Sequence, residues 1–180
     1  MTARTAIALN VVALYALALV LLTAFGLQLL WHELPCPLCL LQRVAFVALA
    51  VGPVLNVLHG PRPSHYAMSL LAAAAGFVVA TRQVLLHILP GDPGYGSAIA
   101  GLHFYSWALV IFALAIVLIG VVMMFDRQFE RADPPPPGRA ATVAIWLVIV
   151  IAAANVISTT LECGFTWCAD NPVRYELLRW

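Results

Sequence analysis

The chain has 180 residues, of which 63% are hydrophobic and 9% charged. A soluble domain keeps about a quarter of its residues charged because its surface faces water, so this composition excludes one and indicates a protein held in a bilayer. The net charge is +1, every Lys/Arg position is arginine, and no basic stripe is present, which argues against a nucleic-acid partner.

Thr5–Leu30 is apolar throughout. It is longer than the apolar core of a signal peptide and long enough to cross a hydrocarbon layer of about 30 Å. It reads as a retained first helix ending at Trp31, in the interfacial belt. The stretch His32–Arg43, HELPCPLCLLQR, follows, with Cys36 and Cys39 in C-x-x-C spacing and Arg43 one turn beyond. Leu40–Leu58 is the second segment, with Pro53 as a plausible kink. His59–His65 is a tight loop and Tyr66–Ile88 the third segment, carrying Arg82 near its far end. Leu89–Ala98 is rich in Gly and Pro and reads as a loop. Phe104–Phe125 is the fourth segment, opened by interfacial aromatics. Asp126–Ala140 contains Pro134–Pro137 and reads as an extended linker. Ala141–Ser158 is the fifth segment, and Thr159–Trp180 a polar tail with Cys163 and Cys168. All of this is expected to form a single integral membrane domain.

Five crossings put the termini on opposite sides and the exits of the first and fifth helices on the same side. Both cysteine pairs then share one face. Arg4, Arg62, Arg127, Arg131 and Arg139 gather on the other face, against Arg174 and Arg179 beside the cysteines, with Arg43 and Arg82 inside helix ends there, a moderate bias. The positive-inside rule makes the N-terminal face cytoplasmic and the cysteine face external and oxidising. Pairing within each cluster is the simplest connectivity, although sequence leaves the other two open.

If the second helix starts at Pro37, a favoured first helical position, Cys36 is its cap and Cys39 lies in its first turn. A helix N-terminus favours negative charge, hence thiolate, the nucleophile. Cys36, Cys39 and Arg43 fall at i, i+3 and i+7, on one face. Half a zinc site and a structural disulfide are the alternatives; zinc wants four ligands at recognisable spacing, and none are evident around His32 and Glu33. Arg43 could be a snorkelling anchor, but an ionisable group in a spanning segment is a functional candidate, as is Arg82. His87 and His103 sit at the outer boundary as interfacial histidines.

CPLCLLQR followed by an apolar run resembles the DsbB family, the quinone-linked disulfide bond formation proteins of bacterial inner membranes. The likeness extends to Ala80–Leu85 in the third segment and LHFYSWA at the start of the fourth, covering most of Thr5–Phe125. The resemblance implies a polytopic four-helix bundle, here with a fifth transmembrane helix added. It also implies a bound quinone (ubiquinone or menaquinone) and a periplasmic DsbA-like thiol oxidase as partner. Carried over, Cys39 faces the quinone, Cys36 is its redox partner and Arg43 polarises the quinone; Arg82, Gln83 and His87 are further candidate neighbours. The family's second cysteine pair usually lies between the third and fourth helices. Here Leu89–His103 contains no cysteine, and the second pair follows the fifth segment as ECGFTWCADNP.

The resulting expectation is a thiol–disulfide oxidoreductase of the bacterial inner membrane that reoxidises the partner and reduces a quinone. Cys163 and Cys168, in a tail polar enough to be mobile, are expected to relay electrons to Cys36–Cys39. No metal is expected in this reading. A membrane metal-handling protein using the cysteine pairs is the alternative, and a transport or scaffold subunit with structural cysteines a third.

Overall fold

A computed structural model describes residues 1–130 and 136–178. Arg131, Pro134, Pro135 and Arg179, which enter the arginine count and the linker reading, lie outside the described residues. Within them, five helices are long and apolar enough to span a membrane: α1 (Ala3–Trp31), α2 (Pro37–His59), α3 (Pro63–Leu86), α4 (Phe104–Met123) and α5 (Arg139–Cys163). The protein is an all-α, multi-pass membrane protein. Its outward faces carry large apolar side chains such as Leu71 and Trp146, as a lipid solvent requires. α2 is central, packing on α1 and α3; α3 packs on α4, and α5 lies against α1 and α2.

Local sequence sets the breaks. α1 ends where His32 turns into the left-handed region at φ 56°. An extended bridge leads to Cys36, and α2 restarts at Pro37, whose missing N–H is no loss at that position. Pro53 inside α2 cannot donate to the carbonyl of Leu49. Ser69 of α3 fills the gap, its Oγ donating to that oxygen at 2.9 Å. Gly52 lets the two helices approach this closely: a Cβ there would stand 2.1 Å from Ser69 Oγ and 2.3 Å from the His65 carbonyl oxygen. Deeper in the core the rings of Phe46 and Phe112 stack at 4.1 Å, with Gly76 beneath Phe112.

Helix ends shift from the sequence expectation by up to five residues, and three differences have a clear physical reason. α3 begins at Pro63 rather than Tyr66, because a second proline again supplies a first helical residue. α5 runs to Cys163 rather than Ser158, because the polar residues Ser158 and Glu162 are buried on its inner face instead of entering solvent. Within the loop between α3 and α4, Ala98–Ile99 (β1) and Leu102–His103 (β2) form a small antiparallel hairpin. Its two turn residues, Ala100 and Gly101, have φ of 50° and 80°, the hand that matches strand twist in two-residue hairpins.

The ends of α1, α3 and α5 and the starts of α2 and α4 share one end of the bundle. Gln28 near the end of α1 bonds Ser158 near the end of α5 at 3.0 Å, and Trp31 lies beside Phe104. Both cysteine pairs are therefore at that end. The other end holds a buried polar cluster of Asn10, Asn56, Tyr66 and Gln128.

Candidate functional site

Cys36 caps α2: its Sγ accepts the Cys39 N–H at 3.2 Å. Cys36 is buried and Cys39 half-buried, and both are free thiols. Gln83 of α3 spans the two sulfurs, its Nε2 donating to Cys36 Sγ at 3.2 Å and Cys39 Sγ at 3.4 Å. Gln42, one turn along α2 from Cys39, donates to Gln83 Oε1 at 2.8 Å and so holds the amide with its N–H groups toward sulfur. The helix terminus and this amide together offer the sulfurs N–H donors in a setting that favours negative charge.

Arg43 lies one turn beyond Cys39 and lines the same cavity. Its Nη1 donates to Gln28 Oε1 at 2.6 Å and to Asn155 Oδ1 at 3.3 Å, and its Nη2 to the Ala24 carbonyl at 3.0 Å. Gln28 in turn donates to Ser158 Oγ and to the Tyr175 hydroxyl, each at 3.0 Å. The guanidinium is thus braced from α1 and α5 by neutral groups.

A cavity of about 350 Å³ lies between α1 and α4 on a floor formed by α2. Its wall is apolar, with Leu27, Phe46 and Ile111 among the lining residues, and Cys39, Gln42 and Arg43 supply polar atoms. That volume and lining match a small-molecule site, mostly apolar with a few convergent polar groups. The hairpin loop closes one side and is tied to the residues just before the cysteines. Ser97 N donates to Glu33 Oε2 at 2.9 Å, and Ser97 Oγ bonds Glu33 Oε1. Tyr95 donates its hydroxyl to the Leu34 carbonyl at 2.6 Å. Burial, with a lesser contribution from the nearby cysteines, pushes the Tyr95 pKa up and keeps it a donor. Farther out, Asp92 accepts from Gly94 N at 2.7 Å and contacts His87 Nδ1 at 3.0 Å. The Gly94 N–H first, then His87, holds the Asp92 carboxyl below its usual range.

Of the residues singled out in the sequence, the structure brings Cys36, Cys39, Arg43 and Gln83 together. It does not bring in Arg82. Successive helical residues point about 100° apart, so Gln83 faces the sulfurs while Arg82 sits on an exposed apolar patch with Phe77 and Leu85. His87 is at the rim, bonded to Asp92, with its ring tilted against that of Tyr105 at a centroid distance of 5.5 Å. Cys163 and Cys168 form a disulfide at the end of α5. The tail beyond it, read above as mobile, folds back: Glu176 N and Leu177 N donate to the carbonyls of Glu162 and Leu161 at 3.2 and 3.0 Å. Backbone pairing and the Tyr175–Gln28 bond outweigh its polar composition.

Sequence reasoning missed Gln28, Gln42 and Asn155. Their signal was available, since each is a lone amide in an apolar helical run. It also missed Tyr95 and Glu162, which tertiary contacts alone bring to the site, and it weighed Glu33 only as a metal ligand, not as the tether of the hairpin loop. Among the described residues, no three His, Cys, Asp or Glu side chains gather as a metal site.

Comparison with known proteins places this geometry in context. The family described as Disulfide bond formation protein DsbB matches residues 5–97. A Disulfide bond formation protein B of Aromatoleum aromaticum is 40% identical over 145 residues, covering 59% of this chain and 86% of the relative. One from Marinobacter nauticus is 31% identical over 147 residues, covering 62% and 87%. One from Xanthomonas axonopodis pv. citri is 46% identical over 63 residues, where the match spans 32% of this chain and only 37% of the relative's length. No solved structure matches the chain significantly.

Proposed function

The chain belongs to the DsbB family, and from that premise we propose that it is a thiol–disulfide oxidoreductase of the bacterial inner membrane. In this reading it reoxidises a periplasmic DsbA-like thiol oxidase and passes the electrons to a membrane quinone. The observation that carries the reading is the C-x-x-C pair at the start of α2, with Cys39 and Arg43 on the floor of an apolar cavity. The names of the relatives support disulfide formation, and the cavity supports a lipid-soluble acceptor.

A quinone headgroup is a flat, largely apolar ring with carbonyl oxygens that need donors. The cavity's apolar wall and the donors Arg43 and Gln42 fit such a ring. When bound, a quinone accepts two electrons and two protons. The chain's own residues set up that transfer. Gln83 and the first turn of α2 favour thiolate at Cys39, and Cys36 stands ready to close the disulfide. Arg43, fixed by Gln28, Asn155 and Ala24, presents positive charge beside developing negative charge. Glu33, Ser97 and Tyr95 hold the loop over the site and limit water.

Cys163–Cys168 is the entry point in this scheme. The partner dithiol reduces it, becoming a disulfide itself, and the new dithiol then reduces Cys36–Cys39. Each exchange moves two electrons and two protons. A DsbA-type partner has a potential near about −120 mV, so the final acceptor must be more oxidising still.

The test is purified protein with a reduced DsbA-type partner and a soluble quinone, following quinone absorbance. Quinone reduction that vanishes in Cys39→Ser is expected; reduction at the original rate in that variant sinks the reading. In Cys163→Ser/Cys168→Ser, partner oxidation should fail while a small dithiol still reduces Cys36–Cys39. Partner oxidation at the original rate would make the second pair structural. The N-terminus belongs in the cytoplasm and both pairs in the periplasm, on the arginine distribution. After reduction of intact cells, an impermeant thiol reagent should then label both pairs.

A further inference from the structure

One group near the site has no role in that scheme. Glu162 is 2% exposed, and among the described residues its two carboxyl oxygens are the only buried side-chain oxygen or nitrogen atoms without a hydrogen-bond partner. It shares one face of α5 with Asn155 and Ser158, at i+7 and i+4 from them. Asn155 bonds Arg43 directly, and Ser158 does so through Gln28. The returning tail covers Glu162 through the backbone bond from Glu176. The charged and titratable groups whose charge acts on it are Arg43 and Cys39 of α2 and Tyr95 of the hairpin loop, and Tyr175 of the tail acts on Arg43. α1 contributes the neutral Gln28.

Arg43 is positive and its direct partners are all neutral. A buried charge is tolerated when an opposite charge accompanies it, and two negative groups sharing one site repel, so that one of them favours its protonated form. Two groups whose charge acts on Arg43 can supply that opposite charge, the Cys39 thiolate one turn away on α2 and the Glu162 carboxylate on the α5 face that carries Asn155 and Ser158. The Cys39 thiolate exists only while the pair is reduced. We propose that Glu162 takes up a proton when the Cys36–Cys39 disulfide is reduced and releases it when the disulfide reforms, so that Arg43 always faces a single negative charge. On reduction the sulfur–sulfur bond gains two electrons from a dithiol. One proton goes to Cys36, the other to Glu162, and Cys39 stays a thiolate. On reoxidation both electrons leave to the quinone, and the two protons leave from Cys36 and Glu162. α5 lies outside the matched residues 5–97, so this proton store belongs to the part of the chain beyond the family match.

The inference rests on the reading of Cys36–Cys39 as a redox pair, and the experiment separates the two. The full chain, in the Cys163→Ser/Cys168→Ser background so that one pair titrates, is reduced by a small dithiol without quinone. Reduced-minus-oxidised infrared spectra and proton uptake are recorded. A carboxylic-acid C=O band should appear on reduction, shift in Glu162→Asp and vanish in Glu162→Gln. Proton uptake per two electrons, corrected for the two protons that oxidation of the dithiol releases, should fall from two to one in Glu162→Gln, with the ultraviolet thiolate absorbance retained. A reduction-linked carboxyl band that survives Glu162→Gln, or uptake of two protons in that variant, overturns the proposal. If Glu162→Gln does not fold, the original chain decides, since absence of the band on reduction overturns it equally. A pair that the dithiol cannot reduce at all refutes the redox reading instead.

Discussion

The bundle has a buried polar cluster at each end, and the two are built differently. At the end away from the cysteines, every buried polar side chain has a partner. Asn56 donates to Asn10 at 3.1 Å, Asn10 to Tyr66 at 3.0 Å, and Tyr66 to Gln128 at 3.0 Å. Asn56 Oδ1 also accepts from Arg62 N and contacts His65 Nδ1. The cluster links α1, α2, α3 and the 3₁₀ turn at Asp126–Phe129. At the cysteine end a cavity replaces packing, and among the described residues Arg43 hydrogen-bonds neutral partners only and the Glu162 carboxyl none. In a low dielectric a satisfied network fixes the fold, whereas an unsatisfied group is held in place by its surroundings and remains free to change state. The first cluster is a staple and the second the site of the proposed reaction.

The largest effect that follows is at the sulfurs. Cys36→Ser or Cys39→Ser should abolish turnover with partner and quinone, because two-electron exchange cannot finish with one sulfur missing. Measurable catalysis in either purified variant would break the contrast outright. Arg43→Ala should slow quinone reduction by roughly 10²–10³-fold, the range seen when one preorganised group facing developing charge is removed. Thiol exchange with the partner should stay largely intact. If both half-reactions keep their rates, Arg43 is an anchor like the residues of the opposite cluster.

The opposite cluster should respond in stability and not in chemistry. Asn56→Ala removes the acceptor of the Arg62 N–H and leaves Asn10 without its donor. It should destabilise the fold by about 1–3 kcal/mol, the cost of leaving buried groups unpaired. Thermal unfolding in detergent reads this, with the quinone half-reaction per folded molecule unchanged. Lost chemistry at intact stability would show that the two ends are coupled.

The helices and the cysteine motif were legible because they rest on local signals. Long apolar runs report spans, Pro37 reports a helix start, and C-x-x-C with Arg43 reports a shared face. Arg82 and Gln83 show where local signals fail. Both are polar residues in an apolar run, and sequence ranks the arginine higher, yet helix phase turns only the amide to the sulfurs. Glu162 was unreadable for another reason. Its neighbours in sequence are a polar turn and a cysteine, so it looks like solvent-facing tail. Its burial comes from α1, more than a hundred positions away as in the Gln28–Ser158 bond, and from the tail folding back onto Glu162 from Glu176. Helix periodicity carries no record of them.

The smallest expected effect lies between the two clusters in kind, at the tether of the hairpin loop. Ser97 makes both of its bonds to Glu33, three residues before Cys36. Ser97→Ala removes the hydroxyl bond and keeps the backbone one, so the loop should stay in place while its hold on the Glu33–Pro35 bridge loosens. A lost hydrogen bond of this kind is worth about 1 kcal/mol, roughly a fivefold change in an equilibrium. Because Glu33, Leu34 and Tyr95 line the cavity and the sulfurs lie below them, the loss should appear as a KM for quinone raised several-fold with kcat nearly unchanged. Unfolding temperature should hardly move, since the loop contributes little core. A fall in kcat with KM constant would place the tether in the chemistry instead, by shifting Cys36 through the bridge. A fall in stability without either kinetic change would place the loop with the staple at the other end.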